Sequence, residues 1–197
     1  MEWIRANNND QLIPPIMNLC MDFLSKPDNL ETEGIFRKSG HLGQIKELMA
    51  RINNGERILF NDIGDVHIAA VILKTFFKEL EEPLLTFALF DSICQVEKCT
   101  KEERVSVIKN ILEQLPDHNY VVLKHLVEFL SLVSQSTDSI KKTYVLNEFL
   151  TADRYLRHND MSLRSMFENG QIAAIEGKCC RFRYSSKCLK THCDANN

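Results

Sequence analysis

The sequence predicts an all-α protein, a helical bundle with short connections. Three observations carry this prediction. Apolar residues recur three and four apart through six successive stretches, the period of one face of a helix. Each of the five prolines falls at the start or end of such a stretch, where a helix tolerates one. No stretch alternates apolar and polar residues as a half-buried strand would, and no internal repeat occurs.

In the first predicted helix Ile13, Ile16, Met17, Cys20, Phe23 and Leu24 share a face. Asp10 stands where a cap would, and Pro14 and Pro15 suit the opening turn. Pro27 and Asp28 break it. The second is expected to start with Ser39 as N-cap and to carry Leu42, Ile45, Leu48, Met49 and Ile52 inward. Asn53, Asn54 and Gly55 end it, with Gly55 left-handed. The third spans about Asp65 to Leu80, with Ile68, Val71, Ile72, Phe76 and Leu80 inward. Glu81, Glu82 and Pro83 close it, because proline disfavours helix in the residue before it. A short fourth helix carries Phe87, Phe90, Ile93 and Cys94. The fifth opens on Thr100 and Glu103, which have capping-box spacing. Its inner residues are Val105, Ile108, Ile111, Leu112 and Leu115, and Pro116 stops it. The sixth begins near Asn119, with Val122, Leu123, Leu126, Val127, Leu130 and Val133 inward.

A chain of 197 residues suits one domain, or one domain with a tail. With 44% hydrophobic and 26% charged residues it can bury a sizeable core. A net charge of −3 offers no whole-molecule argument for nucleic acid. The start, MEWIRANNND, has no apolar core of a secretory signal. The longest aliphatic run, Ile68 to Leu73, is far too short to span a bilayer. A cytoplasmic protein is expected. After Ser136 the pattern weakens. The reading is a helical domain over 1–139, a divergent helical segment over 140–176, and a basic tail over 177–197 that is expected to be disordered. Within the middle segment Ile140, Tyr144, Phe149 and Leu150 could support a helix. The tail holds five Lys or Arg and one Asp, a net of +4.

The seven cysteines, with no visible signal peptide, do not read as a disulfide framework. Cys20, Cys94 and Cys99 are expected to act as small core hydrophobes. Cys179, Cys180, Cys188 and Cys193, even with His192, lack the paired spacing of a zinc site. No glycine-rich phosphate loop followed by Lys-Ser or Lys-Thr occurs, so this chain does not look like a nucleotide binder. Neither His-Glu-x-x-His nor Gly-x-Ser-x-Gly is present.

Two features remain. In ETEGIFRKSG, Arg37 follows two large apolar residues between Gly34 and Gly40. The glycines let the chain turn, Ile35 and Phe36 can plug into the bundle, and Arg37 would point out. That is either an ordinary surface arginine or a guanidinium held ready for phosphate oxygens. On the third helix Lys74 and Lys78 lie four residues apart on one face, continued by Val71 and His67. Like charges at that spacing cost about 0.2–0.5 kcal/mol. The face is either a solvated basic patch or a surface for an anionic or acidic partner.

Taken in order, TEGIFRKSG at 32–40, HIAAVILKTFFKELEEPLLTF at 67–87, QLP at 114–116 and NYVVLKHLVEFLSLVSQ at 119–135 resemble the RhoGAP (Rho GTPase-activating protein) domain. The resemblance runs from about Leu12 to Ser136 and implies a RhoGAP-like all-helical bundle. It implies a partner, a Rho, Rac or Cdc42-type small GTPase in its GTP form, whose hydrolysis the domain speeds. GTP and Mg²⁺ belong to that partner, so no cofactor and no metal site are expected here. Arg37 matches the family's arginine finger. Lys74 matches the lysine that braces the finger loop and the GTPase contact. Lys78 and Lys38 are implied GTPase contacts, and so is Pro83. Gly34, Ile35, Phe36 and Gly40 support the loop. A regulator acting as a monomer is expected, with no nucleic-acid partner and with membrane contact only through the GTPase.

The end departs from the family. Where its members continue with an Asn-(Lys/Arg)-Met turn and a helix containing Asn-Leu-Ala, this chain reads SIKKTYVLNEFLTADRYL. Asn147 has the wrong neighbours for the family's asparagine. The change is as abrupt as an alternative carboxyl end, an idea that an exon boundary near position 139 would test. The second expectation is therefore a non-catalytic or weakly active GTPase-binding module. Apolar faces that the usual last helices cover are expected to be exposed, giving reduced stability or dependence on a partner.

Overall fold

The computed structural model describes residues 11–135 apart from Glu97, and among them every regular element is helical. α1 (Pro15–Leu24) packs along α5 (Val66–Lys78), and α3 (Leu42–Asn53) packs on another side of α5. This makes α5 the central helix. α6 (Phe90–Val96) leans on α7 (Lys101–Gln114), and α8 (Asp117–Gln135) adds a long apolar face to the same core. The short helices α2 (Pro27–Leu30) and α4 (Phe60–Ile63) fill the connections. Asp10, the segment beyond Gln135 and the tail cysteines lie outside the described residues.

Several predicted elements form as read. Thr100 and Glu103 make the capping box. Gly55 is left-handed at φ +77°, its N–H donating to Ile52 O and the next N–H to Arg51 O. That is the Schellman pattern, which satisfies the last carbonyls of α3. The six inward residues assigned to α8 are all buried. Burial pushes the Cys20 thiol well above its ordinary value, so it stays a neutral core group.

Other expectations need correction. α1 has Pro14 at its cap position with no side-chain bond, so no polar cap starts it. Past the break after α1, Pro27 opens the new turn α2, and the Asn29 amide donates to the Phe23 carbonyl at 2.7 Å. α3 is capped at His41 rather than Ser39. The chain must first cross α5 in contact, because a Cβ on Gly40 would lie 2.7 Å from Ile68 Cγ1. Leu42, read as inward, is 65% exposed at the start of that helix. In α5 the buried residues are Ile68, Ala69, Ala70, Ile72, Leu73 and Phe77, while Val71, Phe76 and Leu80 are only half-buried. A one-stripe reading assumes one neighbour, and α5 has helices on two sides. The fourth predicted helix begins as a 3₁₀ turn, Phe87–Leu89, with Phe87 46% exposed. Cys94 and Cys99 are half-buried rather than core.

Candidate functional site

The stretch between α2 and α3 is held from three directions. Gly34, at φ +73°, lets the chain reverse, and its carbonyl accepts from both the Arg37 and Lys38 N–H groups at 2.9 Å each. Ile35 and Phe36 are 1% exposed, and the Phe36 ring meets Phe129 of α8 edge-on at 6.2 Å. From α5 the Lys74 ammonium donates to the Phe36 carbonyl at 2.6 Å. A charge-assisted bond of this kind is among the stronger contacts a loop backbone can receive. It satisfies the carbonyl immediately before Arg37.

Arg37 therefore leaves a fixed backbone. Its side chain is 53% exposed and lies 3.6 Å from the Glu33 carboxylate, itself 66% exposed. A pair this open is worth roughly 0–1 kcal/mol, so it does not commit the guanidinium. Lys38 is exposed, with its stem over Gly34. Lys78, one turn beyond Lys74, is also exposed, whereas Lys74 is half-buried. His67 continues this side at the amino end of α5, and its N–H is used by the Asp65 cap.

Two of the expected roles change. Gly40 does not turn the chain, since its φ is not positive. It is small because Ile68 is pressed against it. Pro83 is buried, so it packs the loop after α5 and offers no face to a partner. Two residues that the sequence reading missed are Phe129, which seats Phe36, and Asn119. The Asn119 side chain is buried and donates to the Leu84 carbonyl at 2.8 Å. An asparagine near a helix start reads as a cap, and nothing local signals a bond to a residue far back in the chain. Among the described residues no cluster of His, Cys, Asp and Glu could hold a metal ion. No helix among them is long and apolar enough to cross a membrane.

Among the described residues, the finger-like loop of this helical bundle presents the Arg37 guanidinium from a braced backbone. The model of the RhoGAP domain family matches residues 14–166, and the chain belongs to that family. The match reaches past Ser136, where the sequence resemblance was expected to stop. Rho GTPase-activating protein 8 of Mus musculus is 38% identical over 141 residues, covering 72% of this chain and 33% of that protein. Rho GTPase-activating protein 68F of Drosophila melanogaster is 42% identical over 132 residues, 66% of this chain and 28% of that protein. The chain thus spans about a third of the length of the curated relatives it matches. In fold it is similar to the crystal structure of human Rho GTPase activating protein 15, with a TM-score of 0.77 at 23% identity over 87% of this chain and 88% of that one.

Proposed function

We propose that this chain accelerates GTP hydrolysis by a Rho-family small GTPase, with Arg37 supplied in trans as the arginine finger. The observation that carries the reading is Arg37 itself, exposed on a loop whose preceding carbonyl is held by Lys74. The GTPase brings GTP, Mg²⁺ and the attacking water. Negative charge on the transferring phosphoryl oxygens is only partly neutralised there, and a guanidinium completes the job. Such a finger is worth about 10³–10⁵ in rate, or about 4–7 kcal/mol of barrier. Ordering the loop beforehand removes an entropy cost from each encounter. Lysine at position 37 would keep the charge but lose the planar fork that meets two oxygens.

In this reading Lys74 positions the loop and supports the GTPase contact, which Lys78 and Lys38 also make. The chain needs no cofactor of its own and is not by itself an enzyme. It works as a cytoplasmic monomer on the GTP form of a Rho, Rac or Cdc42-type partner. The test is GTP hydrolysis by each of those GTPases with wild type and Arg37→Ala. Equal rates for the two proteins remove the catalytic role. A second reading, a GTPase-binding module with little or no stimulation, is favoured by SIKKTYVLNEFL standing where the family has its Asn-Leu-Ala helix. Binding that survives Arg37→Ala, together with no stimulation by wild type, would select it.

A further inference from the structure

At the carboxyl end of α5, away from the finger loop, the bundle opens into a cleft of about 840 Å³. Its floor includes Ile16, Met49, Ile72 and Phe76, and Phe87 stands at its edge, 46% exposed. The rim carries Glu79, Glu81 and Glu82, all exposed, and no Lys or Arg lines it among the described residues. The volume falls within the range of about 300–1,000 Å³ typical of ligand sites. An apolar floor inside an acidic rim selects an occupant with rings and positive charge together.

The chain carries one. Residues 178–187 read KCCRFRYSSK, with Lys178, Arg181, Arg183 and Lys187 and no acidic residue. Phe182 and Tyr184 are two apart, so an extended segment of this sequence turns both rings to one side. Arg181 and Arg183 alternate with them, on stems long enough to turn back to a charged rim. The whole chain has a net charge of −3 and the tail over 177–197 has +4, so the remainder carries −7, their difference. Reach is no obstacle. The described residues end at Gln135, and the 42 residues of 136–177 span up to about 140 Å if extended at ~3.3 Å each. A domain of this size has a radius of gyration of about 14 Å.

We propose that residues 178–187 dock in this cleft, with Phe182 and Tyr184 on the apolar floor and the arginines against Glu79, Glu81 and Glu82. The basic tail is then a ligand of its own domain rather than a solvated end. The docking is independent of the role of Arg37.

The test uses the full chain with a photoreactive benzophenone side chain at position 87, irradiated and mapped by mass spectrometry. The expected result is an intramolecular cross-link to residues 178–187 at low salt. The yield should fall about fivefold or more in Glu79→Lys/Glu81→Lys/Glu82→Lys, since the rim then repels both arginines. It should fall similarly at high salt, which screens exposed charge. Arg181→Glu/Arg183→Glu leaves every described residue in place and must lower the yield as well, which guards against misfolding of the rim variant. Cross-links to residues 1–10, to a second copy or to another segment overturn the proposal. So does a cross-link to 178–187 that survives both charge reversals, and so does no cross-link at all.

Discussion

Two loops flank α5, and they are built on one plan. In the loop at 34–40, Ile35 and Phe36 are pinned in the core and the Lys74 ammonium holds the Phe36 carbonyl. In the loop at 79–87, Leu84 and Leu85 are pinned in the core and the Asn119 amide holds the Leu84 carbonyl. Each loop also spends a backbone oddity, Gly34 at φ +73° in one and Thr86 at φ +60° in the other. Glycine bears that conformation without cost, whereas threonine is strained there by about 1–3 kcal/mol. The difference lies in the charge presented. The first loop shows Arg37 and Lys38, and the second shows Glu81 and Glu82. Anchoring is a matter of buried pairs and one long-range hydrogen bond. The sign of the exposed residues then decides what the anchored backbone can meet.

The comparison can be broken most decisively at Arg37. Arg37→Ala should lower stimulated GTP hydrolysis by about 10³–10⁵ while leaving the thermal midpoint unchanged, because the residue is exposed and its ion pair is weak. A drop in the midpoint would mean that the arginine holds the loop rather than being held by it. The next largest effect should come from Phe36→Ala, which removes a fully buried ring and should cost about 3–5 kcal/mol in denaturant unfolding. A cost near zero would show that the loop is not pinned.

The two bracing side chains sharpen the plan. Lys74→Met and Asn119→Leu each strip a main-chain carbonyl of its donor and should each cost about 1–3 kcal/mol. Only Lys74→Met should also reduce stimulated hydrolysis. If Asn119→Leu reduced it equally, the loops would not be separate devices. The smallest effect belongs to a site outside both loops. Thr100→Ala removes the cap of α7 and should cost about 1 kcal/mol at neutral pH with activity unchanged. The Glu103 carboxyl is held below its ordinary value by hydrogen bonds from the Thr100 N–H and hydroxyl. A lowered carboxyl value stabilises above the unfolded value and is lost as pH falls through the folded one. The gap between wild type and Thr100→Ala should therefore narrow as the pH drops below the ordinary glutamate range, by the part due to the hydroxyl–carboxylate bond. The part due to the Glu103 N–H bonding the Thr100 hydroxyl remains.

Most of the bundle was legible because amphipathic helices announce themselves in the chain. The α7 capping box, the Gly55 terminus and the inner face of α8 needed only local rules. The candidate site was legible in part. The apolar pair before Arg37 marked the loop, and Lys74 and Lys78 marked the face beside it. Their periodicity alone did not separate them, since one turn of helix lies between the half-buried Lys74 that holds the Phe36 carbonyl and the exposed Lys78. Pro83 looked like surface and is buried, and Leu42 looked like core and is exposed.

By itself, the sequence determined where the long helices run, caps such as the Thr100–Glu103 box and the chemistry available at each position, because these depend on residues within a turn or two of one another. Tertiary structure decided which face of α5 is inward, why Gly40 must be small, which carbonyl Lys74 grips and where an acidic cleft opens. Each of those depends on a neighbour tens of residues away. A contact made across space leaves no period in the chain from which it could be read.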